Sequence, residues 1–221
     1  MANAKQRSRN RRRPIRQDDL FQIKYVTDAV LSPQGNLTAY TLAETQGKGE
    51  DEQQTLSLWL TSTDSTSKPR RLTHGRHNNY HPRFSPDGSE LLFLSTRTGV
   101  PQIHALPLSG GDAEQLTDLP QGAGPFELAP DGRTFAFSAL TRPPAEKDAN
   151  QHMRIDRFWY RFDPLGDYLT NTEQSVYVMK RGGKARSVGG SPGIILSACF
   201  SPDSKALAIV TTGLRKHRIF Q

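Results

Sequence analysis

Four segments of this chain repeat one pattern: an apolar strand, a Ser-Pro-Asp-Gly-like turn and a second apolar strand. They read VTDAVLSPQGNLTAYTL (26–42), YHPRFSPDGSELLFLS (80–95), GPFELAPDGRTFAFSA (124–139) and ILSACFSPDSKALAIV (195–210). Self-similarity at this scale restricts a chain to repeat architectures, because one repeat cannot bury its own faces and must stack on the next. The letters of the turn have a mechanism. Pro33, Pro86, Pro130 and Pro202 preset φ at the second turn position, and Gly35, Gly88 and Gly132 supply the positive φ that sends the chain back antiparallel. Ser204 stands where the fourth glycine would be, which leaves the geometry of that turn open.

Apolar residues alternate on either side of the turns. Leu92 with Leu94, and Phe135 with Phe137, therefore fall on one face of a half-buried antiparallel sheet. Phe84, Phe93, Phe135, Phe137 and Phe200 are the expected core. A second hairpin follows each of the first three turns: 55–63 with 69–73, then 101–117 around Gly110-Gly111, then 174–188 around Gly182-Gly183. Four strands joined up and down make one blade of a β-propeller. The fold expected is all-β: a partial propeller of about three complete blades and the start of a fourth.

The turn prolines lie 53, 44 and 72 residues apart, so the third blade carries an insertion at about 141–170 between its second and third strands. Propellers close with four to eight blades, and an open one leaves bare sheet edges. The expectation is a fragment of a larger propeller, organised as a disordered basic tail (1–16) and a propeller portion (17–221).

Charge separates the same two parts. Of 29 Lys+Arg in 221 residues, seven stand in residues 1–16 with no acid beside them, which accounts for the whole formal net charge of +7. The propeller portion is neutral, so a basic globular surface for nucleic acid is not the leading idea. The tail has no apolar stretch of a secretory signal, and no run approaches the ~18 residues of a membrane span. The single Cys199 fits a reducing, cytoplasmic setting.

These blades, with Leu72-Thr73 and Leu116-Thr117 closing a fourth strand, resemble the propeller repeats of TolB and of the prolyl oligopeptidase family of serine peptidases. The insertion separates the two. Its stretch Arg154-Ile155-Asp156-Arg157-Phe158-Trp159-Tyr160-Arg161-Phe162-Asp163, then Gly166 and Val176-Tyr177-Val178, is similar to the third-blade region of acylaminoacyl-peptidase-like and dipeptidyl-aminopeptidase-like members. Gln174-Ser175 stands where those members carry a His-Leu pair. Asp18-Asp19-Leu20-Phe21 resembles their start. The resemblance covers about residues 17–213. It implies a cytoplasmic serine-type oligopeptidase or aminopeptidase acting on short peptides. The propeller filters substrates by size for a C-terminal α/β-hydrolase domain that holds the triad and is absent from this chain. No catalytic residue carries over, and activity of this chain alone is not expected. A TolB-like or WD-repeat-like scaffold that only binds protein partners is the alternative.

Three constellations carry residues with potential chemistry. Gly189-Gly190-Ser191-Pro192-Gly193, followed by Asp203 and His217, fits the letters of a nucleophile elbow. Pro192 has no N–H for an oxyanion, a strand follows where a helix is needed, and Asp203 is already a turn residue, so an inter-blade turn is the better reading. His74, His77 and His81 sit among polar residues between blades one and two and read as a solvated loop rather than a metal site. Arg154, Arg157, Trp159, Tyr160 and Arg161 could pair a carboxylate and supply apolar contact, either along a substrate path or in docking the hydrolase domain. With no P-loop, dinucleotide fingerprint or Cys/His pattern, no cofactor or metal is expected.

Overall fold

The computed structural model describes residues 14–16, 19, 22–47, 52–140, 161–162, 167–168, 174–191 and 195–211. Blade 1 comprises β1 (Tyr25–Leu31), β2 (Leu37–Gln46), β3 (Gln53–Ser62) and β4 (Arg70–Arg71). Blade 2 comprises β5 (Asn79–Phe84), β6 (Glu90–Thr98), β7 (Val100–Pro107) and β8 (Glu114–Gln115). Blade 3 begins with β9 (Phe126–Leu128) and β10 (Thr134–Leu140). It resumes with β13 (Gln174–Lys180) and β14 (Arg186–Ser191), after a two-stranded pair, β11 (Arg161–Phe162) and β12 (Asp167–Tyr168). A further antiparallel pair, β15 (Ile195–Phe200) and β16 (Leu207–Thr211), opens a fourth unit. The three four-stranded sheets are antiparallel throughout, with each strand beside its predecessor except where β13 pairs β10 across the insertion. The expected all-β partial propeller is what the chain forms. No helix among the described residues is long and apolar enough to cross a membrane.

The four repeat turns share one hydrogen-bond design. The N–H of the fourth turn residue donates to the carbonyl of the first: Gly35 to Ser32, Gly88 to Ser85, Gly132 to Ala129 and Ser204 to Ser201, all at 2.8–2.9 Å. That fourth residue also carries the positive φ, with Gly35 at 73°, Gly88 at 74°, Gly132 at 68° and Ser204 at 59°. Ser204 thus takes the left-handed backbone of the glycine it replaces. In three turns the opening Ser also accepts an N–H with its Oγ, from Leu37, Glu90 and Ala206. Ala129 in the third turn has no hydroxyl. There Asp131 Oδ1 takes the equivalent N–H, that of Thr134, at 2.8 Å.

The Leu-Thr signature closes blades 1 and 2 by a side-chain substitution for a ladder bond. Leu72 N donates to Leu58 O, and Thr73 Oγ1 then accepts from Leu58 N at 2.9 Å. Leu116 and Thr117 do the same to Ile103. A hydroxyl in place of a carbonyl ends the strand while leaving no buried N–H orphaned.

The core corrects one expectation. Blade 2 is not half-buried: Leu91, Leu92, Phe93, Leu94 and Ser95 of β6 are all inaccessible. Leu91 and Phe93 pack with Ala39, Leu58 and Leu60 of blade 1, while Leu92 and Leu94 pack with Phe135 and Phe137 of blade 3. Alternation therefore sorts these residues between two neighbours rather than between core and solvent. Phe84, Phe93, Phe135 and Phe137 are buried as expected. Phe200 is only half-buried. Its strand packs on β9, β10 and β13, while Ile209 and Val210 beside it remain exposed.

Candidate functional site

The first strands of successive blades lie side by side, β1 against β5 and β9 against β15, which is the arrangement that lines a propeller's axis. In each repeat two positions on this strand, four and two residues before the opening residue of the turn, stand on one side. They hold Asp28 and Val30 in blade 1, His81 and Arg83 in blade 2, Pro125 and Glu127 in blade 3, and Ser197 and Cys199 in the fourth unit. Charge is concentrated there. Arg83 reaches in both directions, with Nη2 3.1 Å from Glu127 Oε1 and Nη1 3.4 Å from Asp28 Oδ2. Three blades are thereby joined through one guanidinium, which can span two carboxylates because its donors fork. Asp28 and Glu127 remain about one third exposed, so the cluster keeps acceptor capacity toward solvent.

His81 is the least regular element. It lies at a bulge where the β5–β6 register shifts, and its φ is 58°, unusual for a residue with a side chain. The strained backbone turns its ring edge-on to Phe126, 5.2 Å away, and brings Nε2 within 2.8 Å of the Phe126 carbonyl. The same Nε2 lies 3.3 Å from the Phe126 backbone N, and Nδ1 stands 3.9 Å from Asp28 Oδ2. Burial, helped by the charge of Arg83, pushes the His81 pKa below its usual value; the Phe126 carbonyl, Asp28 and Glu127 oppose this and lose. The ring is therefore a neutral wedge at pH 7. Behind it a cleft of about 120 Å³ opens between blade 3 and β15, lined by His81, Arg83, Glu127, Ser138 and Ser197.

The turns at the end of these strands touch in sequence. Gln34 Nε2 donates to Asp87 O at 2.9 Å, Pro86 faces Gly132, and Asp131 N donates to Ser204 Oγ at 3.2 Å. Asp87 is held down at about 2 by the Ser85 hydroxyl, with the N–H and hydroxyl of Ser89 adding to it. The four turns thus form a continuous row, hydrogen-bonded at its first and third links and in van der Waals contact at its second.

The three histidines do not come together. His74 and His77 line a separate cleft between blades 1 and 2, whereas His81 belongs to strand β5 and is largely covered, not part of a solvated loop. Among the described residues no group of three or more His, Cys, Asp or Glu is placed to hold a metal ion. Ser191 ends strand β14, and Asp203 accepts from Ser201 Oγ and Lys205 N within its turn. Pro192, Gly193 and His217 lie outside the described residues, as do Arg154, Arg157, Trp159 and Tyr160. Arg161 lies on β11, its backbone opposite Tyr168. Sequence reasoning missed the Asp28–Arg83–Glu127 network. Its signal was a charged residue at one or other of two repeated positions on the first strand of each blade.

No family model matches the chain. Among curated proteins it is 29% identical over 202 residues to the uncharacterized peptidase YuxL of Bacillus subtilis, covering 87% of this chain and 30% of that protein. It is 30% identical over 152 residues to a TolB homolog of Chlorobium luteolum, covering 62% of this chain and 35% of the homolog. The chain thus spans about a third of the length of these relatives. Among solved structures, the acylaminoacyl peptidase of Pyrococcus horikoshii superposes on 86% of the chain with a TM-score of 0.65 at 16% identity, over 28% of its own length. The resemblance to peptidase propellers read from the repeats and the insertion is borne out.

Proposed function

With kinship to peptidase propellers as the premise, we propose that this chain is propeller structure of a serine-type oligopeptidase or aminopeptidase. In this reading it gates the passage of short peptides to a hydrolase domain that lies outside these residues. The observation that carries the reading is the similarity to a peptidase over 87% of the chain, together with a fold that superposes on an acylaminoacyl peptidase. The axial wall supports it physically. Asp28, Arg83, Glu127 and His81 offer both donors and acceptors along the inner strands, which suits an extended peptide backbone. The insertion residues Arg154, Arg157, Trp159, Tyr160 and Arg161 dock the hydrolase domain or border the substrate path, and the setting is cytoplasmic.

The test uses the native protein. An antibody against residues 78–122 is used to measure its mass in source cells and to deplete it from the extract. The expected result is a species heavier than 24.6 kDa whose removal takes with it hydrolysis of an N-acylated short peptide. The purified 221-residue chain should show no hydrolysis; turnover abolished by Ser191→Ala would overturn this. Similarity to a TolB homolog favours a second reading, a partner-binding scaffold. A 24.6 kDa native species whose depletion leaves peptide hydrolysis untouched would select it.

A further inference from the structure

A second cleft, of about 370 Å³, opens between the outer parts of blades 1 and 2, away from the axial wall. Its lining has two characters. Leu72, Phe93, Leu106 and Ala113 are apolar, while His74, His77 and Arg97 bring donors. Arg97 is positioned by its neighbours: Nε donates to Ser95 Oγ at 3.0 Å, and the guanidinium carbon lies 5.7 Å from the centroid of the Phe93 ring. Phe93 itself is inaccessible and Ser95 is buried, so both supports are fixed by the core. Nη2 reaches only a distant Asn79 Oδ1, at 3.5 Å, and Nη1 donates to none of the described residues. Arg71, Arg83 and Arg181 each have a carboxylate within ion-pair distance. Arg97 has none among the described residues, Asp112 acting on it only through space.

We propose that this cleft is a binding site for a small monocarboxylate with an apolar body. The carboxylate is received by the two free arms of Arg97, and the body lies against the partly exposed Leu72 and Leu106. A planar guanidinium accepts a carboxylate through two parallel hydrogen bonds, and one stacked on a ring keeps that fork oriented. The volume is that of an ordinary small-molecule pocket. His74 and His77 add donors on one side. Asp112 also lines the cleft and acts on Arg97 through space, so a second negative group is disfavoured. The site is independent of the peptidase reading, since it uses none of the axial residues.

The experiment titrates the 221-residue chain with 3-phenylpropionate, its neutral amide and inorganic phosphate, following the imidazole resonances of His74 and His77. The expected result is saturable binding of the carboxylate, at least tenfold weaker binding of the amide, and no saturation by phosphate. Arg97→Gln should weaken the carboxylate at least tenfold and leave the amide unchanged. The amide comparison is made on the unsubstituted chain, so it stands even where the variant fails to fold. Absence of saturation, equal binding of acid and amide, or phosphate binding as tightly as the acid would each overturn the assignment.

Discussion

Thr41 offers the sharpest test of how the blades are held together. It is fully buried on β2, opposite Leu58 of β3, on the same side as Ala39 at the face turned to blade 2. Its Oγ1 is the one buried side-chain polar atom among the described residues with no hydrogen-bond partner. Leaving such a hydroxyl unsatisfied costs about 1–3 kcal/mol. Valine has nearly the same shape and puts a methyl where the oxygen stands, so Thr41→Val removes that cost and adds a little apolar burial. The same position in the second repeat is already apolar, Leu94. A gain of about 1–2 kcal/mol is expected, which for a chain of this size raises Tm by roughly 2–8 °C. Thr41→Ser is the counterpart. It keeps the orphaned hydroxyl and deletes the methyl, so it should lose roughly 1 kcal/mol. Urea unfolding followed by far-UV circular dichroism measures both. If Thr41→Val is destabilised, or the two variants move in the same direction, the hydroxyl is satisfied in solution and the reasoning fails.

Other consequences can be checked with the same assay. Gly88→Ala should cost about 1–2 kcal/mol, because a side chain at φ 74° is strained and its Cβ would press on the Gln34 side chain that bridges the first two turns; no loss of stability would mean that the turn is not held in that conformation. Phe93→Ala, in a site closed on both sides, should cost about 3–5 kcal/mol, and Phe200→Ala less than half of that; equal losses would contradict the burial described. Because His81 is neutral when folded and titrates below its unfolded value of about 6.5, its stabilisation is present above that pH and declines as pH falls toward the folded value. His104, buried with a lowered pKa, acts in the same direction, so His81→Asn, which tolerates the positive φ, should show a shallower loss between pH 7.5 and 5.5. An unchanged slope would remove His81 from the pH response.

The blades were legible because their determinants are local and periodic. Pro at the second turn position and a positive-φ residue at the fourth settle each turn within five residues, and Leu-Thr closes the last strand on its hairpin partner 13–15 residues back. Even Ser204, the one irregular letter, obeys the turn, since its neighbours impose the conformation and its Oγ receives the N–H of Asp131. What was not legible came from packing between repeats. Alternation in β6 looks the same whether the opposite face meets water or another blade, and only Leu91 and Phe93 lying against blade 1 distinguish the two. The axial cluster was hidden for a similar reason. Asp28, Arg83 and Glu127 are separated by 55 and 44 positions, and nothing local says that one guanidinium will serve two carboxylates. His81 was read with His74 and His77 because they are near in sequence, yet a bulge and a strand direction send it to the opposite side of the blade.

The burial of β6 on both faces also changes what protects its pairing from error. In a sheet with one wet side, slipping by a single residue exchanges greasy for charged and is rejected by solvation alone. Slip β6 by one and leucines still meet apolar neighbours on either side; polarity raises no objection. What objects is volume. Phe93 would be asked to occupy the space shaped for Leu92 or Leu94 against Phe135 and Phe137, and a leucine would leave the hollow beside Leu58 and Leu60 underfilled. The middle blade is therefore proofread by the sizes of its side chains, and substitutions that even out those sizes should loosen its alignment while leaving its hydrophobicity intact.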